Sequence, residues 1–308
     1  MRLAKKKLVT VAWRNACCVK IGGTGDYRMT TIDSVLRGGL AGHDDDLRLT
    51  FDPLLQGLPG AAHGGTVLAA FHAVAGLAGR QTVHGLYRKR VPLGTPLRLT
   101  LARRDGHLAC RLFDETDAVL VEGDVAAAAL ETSAAAVDDP PGGGEPLPIS
   151  SSCFACGIDN PVGLRARLSF DDTAVGGVWE PRETTAMADG SLAPIALTTL
   201  LDETAFWLGA LASGESGMTT DLALTLHVPV AFGVPIVVAG ARARARQRPD
   251  DTRYWDTEVT ARDASGRPVA GGRITFVAVR GAARRLVTGM LAINPPEILR
   301  RVFPAYTP

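Results

Sequence analysis

The sequence predicts an α+β protein of two tandem units, each a central buried helix wrapped by a curled antiparallel sheet. Three observations predict it. A seam at residues 131–150, with Pro140-Pro141 and Gly142 to Gly144, carries no hydrophobic period and divides the chain. The same order of elements occurs on both sides of it: a strand, an apolar helix, then a run of strands. Local landmarks repeat as well, since Val91-Pro92-Leu93-Gly94-Thr95-Pro96-Leu97 parallels Val228-Pro229-Val230 followed, after two residues, by Gly233-Val234-Pro235-Ile236.

Taken in order, residues 1–28 are expected to be a leader or the product of an upstream start, because regular patterning begins only after Met29. In the first unit, residues 29–130, "DLRLTFDP" alternates as a strand and residues 64–79 form an apolar helix. The runs "TVHGLYRKRV", "PLRLTLARR", "GHLACRLFD" and "AVLVEGDVAAAAL" follow as strands. In the second unit, residues 151–285, "GLRARLSFDD" precedes a helix over residues 195–211, and then come "TTDLALTLHVPV", "PIVVAGARARAR", "RYWDTEVTARD" and "PVAGGRITFVAV". A tail, residues 286–308, holds a short helix with Asn294 as its cap and Pro295-Pro296 opening "EILRRVF".

Composition limits the function. Apolar residues are 46% and charged residues 21% of 308, the usage of a chain with sizeable cores. With 33 Lys and Arg against 32 Asp and Glu, the net charge of +1 gives no reason to expect nucleic acid as a partner. Cysteines at 17, 18, 110, 153 and 156 do not make a disulfide framework, and a cytoplasmic location is expected. No membrane span is expected either. Residues 65–79 are too few to cross, and in residues 192–212 Asp202 and Glu203 would lie near the bilayer centre, at about 2.5–3.5 kcal/mol each.

The stretch "GLPGAAHGGTVLAAFHAV" sets a glycine-rich turn directly before an apolar helix. Gln56-Gly57, Pro59-Gly60 and His63-Gly64-Gly65 together, with Cys153-Phe154-Ala155-Cys156-Gly157, Asn160-Pro161, Gly163-Leu164 and Leu200-Leu201-Asp202-Glu203, resemble motifs of the hotdog-fold acyl-CoA thioesterases of the phenylacetate type. The likeness runs from about Asp44 to Val279 and implies a tandem double hotdog, paired within one chain as a pseudo-dimer. It also implies hydrolysis of an acyl- or aryl-CoA thioester without a cofactor, with a homodimer of the double-hotdog chain as a possible assembly.

Glycines at a helix start let a substrate carbonyl approach N–H groups that lack partners within the helix, where the dipole favours negative charge. Gly65 is the first expectation for this oxyanion donor and Gly64 the second, while His63 shapes the loop. The resemblance assigns an acid nine residues after the motif's His. In the first unit that position is His72, and in the second, where Asp202 stands, the glycine loop is replaced by Ala193-Pro194-Ile195. The losses are complementary. Because such sites are shared across a hotdog pair, the loop of the first unit and Asp202 of the second make one composite site, with Asp202 as general base or nucleophile. Glu203, one position on, is about 100° round the helix, so only one of the two carboxylates is expected to face the site, with burial raising the pKa of Asp202.

Gln56 is a candidate for positioning water or thioester, Arg88, Lys89 and Arg90 for the phosphates of coenzyme A, and Phe71, Phe206 and Trp207 for lining the acyl pocket. Cys153 and Cys156 have zinc spacing, but no second pair or neighbouring His completes four ligands along the chain, so no metal is expected. Two other functions stay open on sequence. One is a non-catalytic acyl-CoA or aromatic-ligand binding protein. The other is a hotdog enoyl-CoA hydratase, whose "GDxNPxH"-like run is approached by "GIDNPVG" but meets Gly163 where the His is needed.

Overall fold

The computed structural model describes residues 30–43, 46–104, 106–128, 138–227 and 229–306. The expected leader over residues 1–28, residues 131–137 of the expected linker, and Val228 of the repeated landmark lie outside the described residues.

Helix α1 (Ile32–Gly38) starts at Thr31, which forms a reciprocal capping box with Ser34. Strands β1 (Leu40–Ala41) and β2 (Leu47–Leu49) follow, and a single 3-10 turn at Pro53–Leu55 leads into the glycine loop and α2 (Gly64–Ala75). Then come β3 (Gln81–Tyr87), β4 (Leu97–Arg104), β5 (His107–Phe113) and β6 (Val119–Ala127). The second half has β7 (Glu145–Pro146), β8 (Ser169–Phe170), β9 (Ala174–Trp179), a 3-10 turn at Glu183–Thr185 and α3 (Pro194–Ser213). It continues with β10 (Gly217–Leu226), β11 (Ile236–Ala241), β12 (Arg246–Gln247), β13 (Tyr254–Asp263) and β14 (Pro268–Ala278), and ends in α4 (Ala282–Met290) and α5 (Pro296–Val302).

The strands join one antiparallel sheet in the order β1-β2-β4-β5-β6-β3-β10-β14-β13-β11-β9-β8-β7, with β12 paired to β13. Read outward from its middle, the sheet has the same plan twice: β3-β6-β5-β4-β2 on one side and β10-β14-β13-β11-β9 on the other. The seam is the β3–β10 ladder, from Asp221 opposite Leu86 to Leu226 opposite Gln81. This is the intrachain double hotdog. The repeat extends to the loops before the two helices: Gln56 bridges Ala62 as Ala186 bridges Leu192, and Gly60 (φ 75°) and Gly190 (φ 80°) take the same left-handed turn position, which favours glycine. Ala193, Pro194 and Ile195 thus stand in the places of His63, Gly64 and Gly65.

The two central helices pack on each other inside the curled sheet, and they come into close backbone contact at Gly65. A Cβ there would lie 2.5 Å from the Thr198 carbonyl oxygen and 2.7 Å from Thr199 Cα, so only glycine fits against the backbone of α3. Helix α3 is apolar and long enough to cross a membrane, but 83% of its apolar window is buried inside the fold. Enclosure on all sides accounts for its composition.

Several expectations are corrected. The first helix ends at Ala75 because Gly76 turns left-handed (φ 59°). "GLRARLSFDD" supplies only the two-residue β8, since Leu164 and Ala166 donate their N–H groups back to Phe154 and Ala155 instead of to a strand. Strand β9, with the adjacent Gly176 and Gly177, and helix α4 were not foreseen. Asn294 does not cap the tail helix. Pro295 holds that position, while the Asn294 side chain accepts from the Ile149 N–H at 2.8 Å and donates to the Ile149 and Met290 carbonyls.

Candidate active site

At the start of α2, His63 is the N-cap and its ring lies between two carboxylates of α3: Nδ1 is 3.0 Å from Asp202 Oδ2 and Nε2 is 3.4 Å from Glu203 Oε2. All three side chains are buried. Adjacent helix positions differ by about 100° in direction, and for that reason only one carboxylate was expected here. The imidazole removes the conflict, because its two nitrogens sit on opposite sides of the ring and reach both.

Asp202 is held by three donors. Thr219 donates its hydroxyl to Oδ1 at 2.6 Å, while the Gly65 N–H donates to Oδ2 at 2.8 Å alongside His63. Gly65 N–H also lies 3.3 Å from His63 Nδ1, but Nδ1 cannot accept that bond and donate to Asp202 at once; the two shorter contacts fit together with Nδ1 protonated. Burial pushes the Asp202 carboxyl up, yet the bond and charge of His63, with Thr219 and Gly65, hold it below the ordinary carboxylate value. This corrects the expected upward shift. The same contacts act on His63, where burial favours the neutral ring but Asp202 and Glu203 raise the pKa well above the ordinary histidine value.

The expected order of the two glycines changes on this geometry. The Gly65 N–H, first choice as oxyanion donor, is already bonded to Asp202. Gly64 N–H has no partner among the described residues, and Gly64 lines the cavity beside Asp202, whose Oδ2 is 2.6 Å from where a Cβ would be. The Gly64 carbonyl accepts from the Tyr87 hydroxyl at 2.7 Å, a residue that sequence reasoning missed.

A cavity of about 230 Å³ opens onto this cluster. His63, Gly64, Asp202 and Glu203 line it, and so do Gln56, Lys89, Arg90, Phe206 and Trp207. Two candidates lie elsewhere. Arg88 pairs with Glu122 at 2.8 Å outside the cavity wall, and Phe71 is fully buried in the core. Gln56 ties the loops together, donating to Ser152 Oγ at 2.7 Å and accepting from the Gly60 N–H. Trp207 donates its indole N–H to Glu203 Oε1 at 2.9 Å. Arg285 and Leu286 of α4 complete the wall from a helix that the sequence did not disclose.

The Cys153–Cys156 turn packs against the glycine loop, with Phe154 N–H donating to the Gln56 carbonyl at 2.6 Å. It brings Cys153 beside His63 and Glu203, so the histidine that was missing along the chain is present in space. Gly163 occupies a tight turn in which Asn160 Oδ1 accepts from the Val162 and Gly163 N–H groups. At the other helix end, His72 is neutral, its pKa pushed down to about 4 by burial and by Arg37 of α1.

No protein-family model matches the chain, and no curated protein sequence does. Solved structures do. An inferred thioesterase from Novosphingobium aromaticivorans is 18% identical, with a TM-score of 0.56 over 78% of this chain and 98% of that one. A hot dog fold protein from Alicyclobacillus acidocaldarius is 11% identical, with a TM-score of 0.53 over 82% and 99%. The dehydratase domain from the CurJ module of the curacin polyketide synthase is 12% identical, with a TM-score of 0.50 over 78% and 93%. At such identities the likeness defines the fold, the hotdog class in its double form.

Proposed function

We propose that the protein hydrolyses an acyl-CoA thioester, in the manner of the phenylacetate-type hotdog thioesterases, at one site shared between its halves. The observation that carries this reading is the 2.8 Å bond between Gly65 of the first half and Asp202 of the second, which sets an ionised carboxylate against the start of a helix. The Gly64 N–H receives the thioester carbonyl oxygen as it gains charge, aided by the dipole of α2; such a donor contributes ~10²–10³ in rate. Asp202 takes a proton from water, whose oxygen attacks the carbonyl carbon. The C–S bond then breaks, and the proton passes to the departing thiolate. His63 and Thr219 position Asp202. Lys89, Arg90 and Arg285 offer charge to the phosphates of coenzyme A, and Phe206 and Trp207 offer apolar surface to the acyl group.

The test is thiol release from a panel of acyl-CoAs. Asp202→Asn should lower kcat/KM by ~10²–10⁴ while the circular dichroism spectrum stays unchanged; retention above roughly a tenth of wild-type activity removes Asp202 as the base. One observation favours a second reading, a ligand-binding module without turnover: both oxygens of Asp202 are already engaged by Thr219, Gly65 and His63. That reading predicts thermal stabilisation by acyl-CoA with no thiol released.

A further inference from the structure

His63 Nε2, Glu203 Oε2 and Cys153 Sγ come from three separate segments: the N-cap of α2, the middle of α3 and the cysteine turn. One ligand atom from each lies within 4.8 Å of the others, and all three residues are buried. From these positions we infer that the protein binds one zinc-class divalent ion through His63, Glu203 and Cys153, with a fourth position open to the cavity. The inference does not rest on the hydrolase reading, since it uses the opposite side of the His63 ring and is tested by binding alone.

The distances permit it. Three atoms no more than 4.8 Å apart leave a point within about 2.8 Å of each, and zinc bonds of about 2.0–2.3 Å need the side chains to close by less than 1 Å. The surrounding contacts already orient the ligands. His63 Nδ1 faces Asp202, itself fixed by Thr219 and Gly65, and Nε2 is turned toward Glu203 Oε2 at 3.4 Å; a carboxylate on the far nitrogen is the arrangement that supports metal-bound imidazoles. Glu203 spends Oε1 on the Trp207 indole and presents Oε2.

The donor set decides the ion. One imidazole, one thiolate and one carboxylate suit zinc or cobalt, whereas magnesium and calcium take oxygen ligands. Three protein ligands with an open position are the pattern of a reactive zinc site rather than a structural one. On binding, the ion takes the place of a proton on Nε2 and of the proton on Sγ, and both protons pass to solvent.

The experiment is titration of the chelator-stripped full chain with cobalt(II) alone, followed by absorption, and then displacement with zinc(II) alone. The wild type should bind saturably and show a thiolate-to-cobalt charge-transfer band that zinc removes. Cys153→Ser should abolish that band. Glu203→Gln, with its fold checked by circular dichroism, should weaken cobalt binding by at least about tenfold, the lower end of what losing even an outer partner costs. No saturable binding by the wild type overturns the site. So does a charge-transfer band that survives in Cys153→Ser, which would place the thiolate at another cysteine such as Cys17 or Cys18. If Cys153→Ser does not fold, unchanged affinity in folded Glu203→Gln overturns the site by itself.

Discussion

Gly65→Ala separates two roles that lie on neighbouring glycines. The added Cβ would stand 2.5 Å from the Thr198 oxygen, 2.6 Å from the Thr198 carbonyl carbon and 2.7 Å from Thr199 Cα. Carbon contacts are comfortable at about 3.5–4.0 Å, so α2 and α3 would have to part by roughly 1 Å. Every atom in the way is backbone, and no rotamer change relieves the overlap. Overpacking of this kind costs about 1–3 kcal/mol, offset by up to about 1 kcal/mol from replacing a helical glycine. Separating the helices also stretches the Gly65–Asp202 bond, and a hydrogen bond to a charged group is worth about 1.5–3 kcal/mol, so a net loss of at least ~1 kcal/mol is expected, with reduced thiol release. Gly64→Ala meets a side chain instead of backbone: its Cβ would lie 2.6 Å from Asp202 Oδ2, an oxygen already engaged by Gly65 and His63. Displacing that carboxylate loosens the buried bonds it receives from Thr219, Gly65 and His63, so stability should fall by about 1–3 kcal/mol and thiol release by at least ~tenfold. Urea unfolding followed by circular dichroism gives both stabilities. A Gly65→Ala protein within about 0.5 kcal/mol of wild type would refute the packing argument.

His84 crosses the seam, its Nε2 3.0 Å from Asp221 of β10, and the bond to Asp221 raises its pKa despite burial. The contribution is therefore complete below the unfolded value of about 6.5 and is lost as pH rises through the folded value; with the ring 39% exposed it is worth about 0.2–1 kcal/mol. His84→Asn should lower Tm more near pH 6 than near pH 9, and an equal gap at both would count against the seam pair. His72 buries an Nε2 without a partner among the described residues, a defect that costs about 1–3 kcal/mol. His72→Leu should leave urea stability unchanged or higher and leave thiol release intact. A loss of more than ~1 kcal/mol would show that the ring has a partner.

The sequence disclosed what local pattern can carry. An apolar run over 195–211 marked α3 to within two residues at either end, because burial on all sides leaves a helix few polar positions. The glycine turn before α2 was legible in its residues, whereas the copy of its left-handed position at Gly190 is seen only in the backbone. Strand β9 was not, since Gly176-Gly177 interrupts the alternation by which a strand is read. Asn294 misled for a different reason: its partner, the Ile149 backbone, is 145 residues away, and capping rules weigh only near neighbours. At the site, complementary losses in the two halves pointed to Asp202 and the glycine loop, but the part of His63 depends on where α2 meets α3. Helical direction alone separated Asp202 from Glu203, and only the width of an imidazole spans them. Cys153 likewise becomes a neighbour of His63 only when the second half closes on the first.

The β3–β10 ladder also determines how the protein responds to dilution and to inheritance. A dimer of identical subunits dissociates by mass action, and its shared sites vanish as its concentration falls. Here the two sides of the cluster are covalently one molecule, so turnover per chain should not depend on how many chains are present. A symmetrical pair also repeats every substitution, so that losing the glycine loop at one end loses it at both. With each copy encoded separately, one end could give up Gly64 and Gly65 for Pro194 and Ile195 while the other kept them. The helix pair was thereby free to become polar in function, with α1 packed beside His72 at one end and an open cavity at the other.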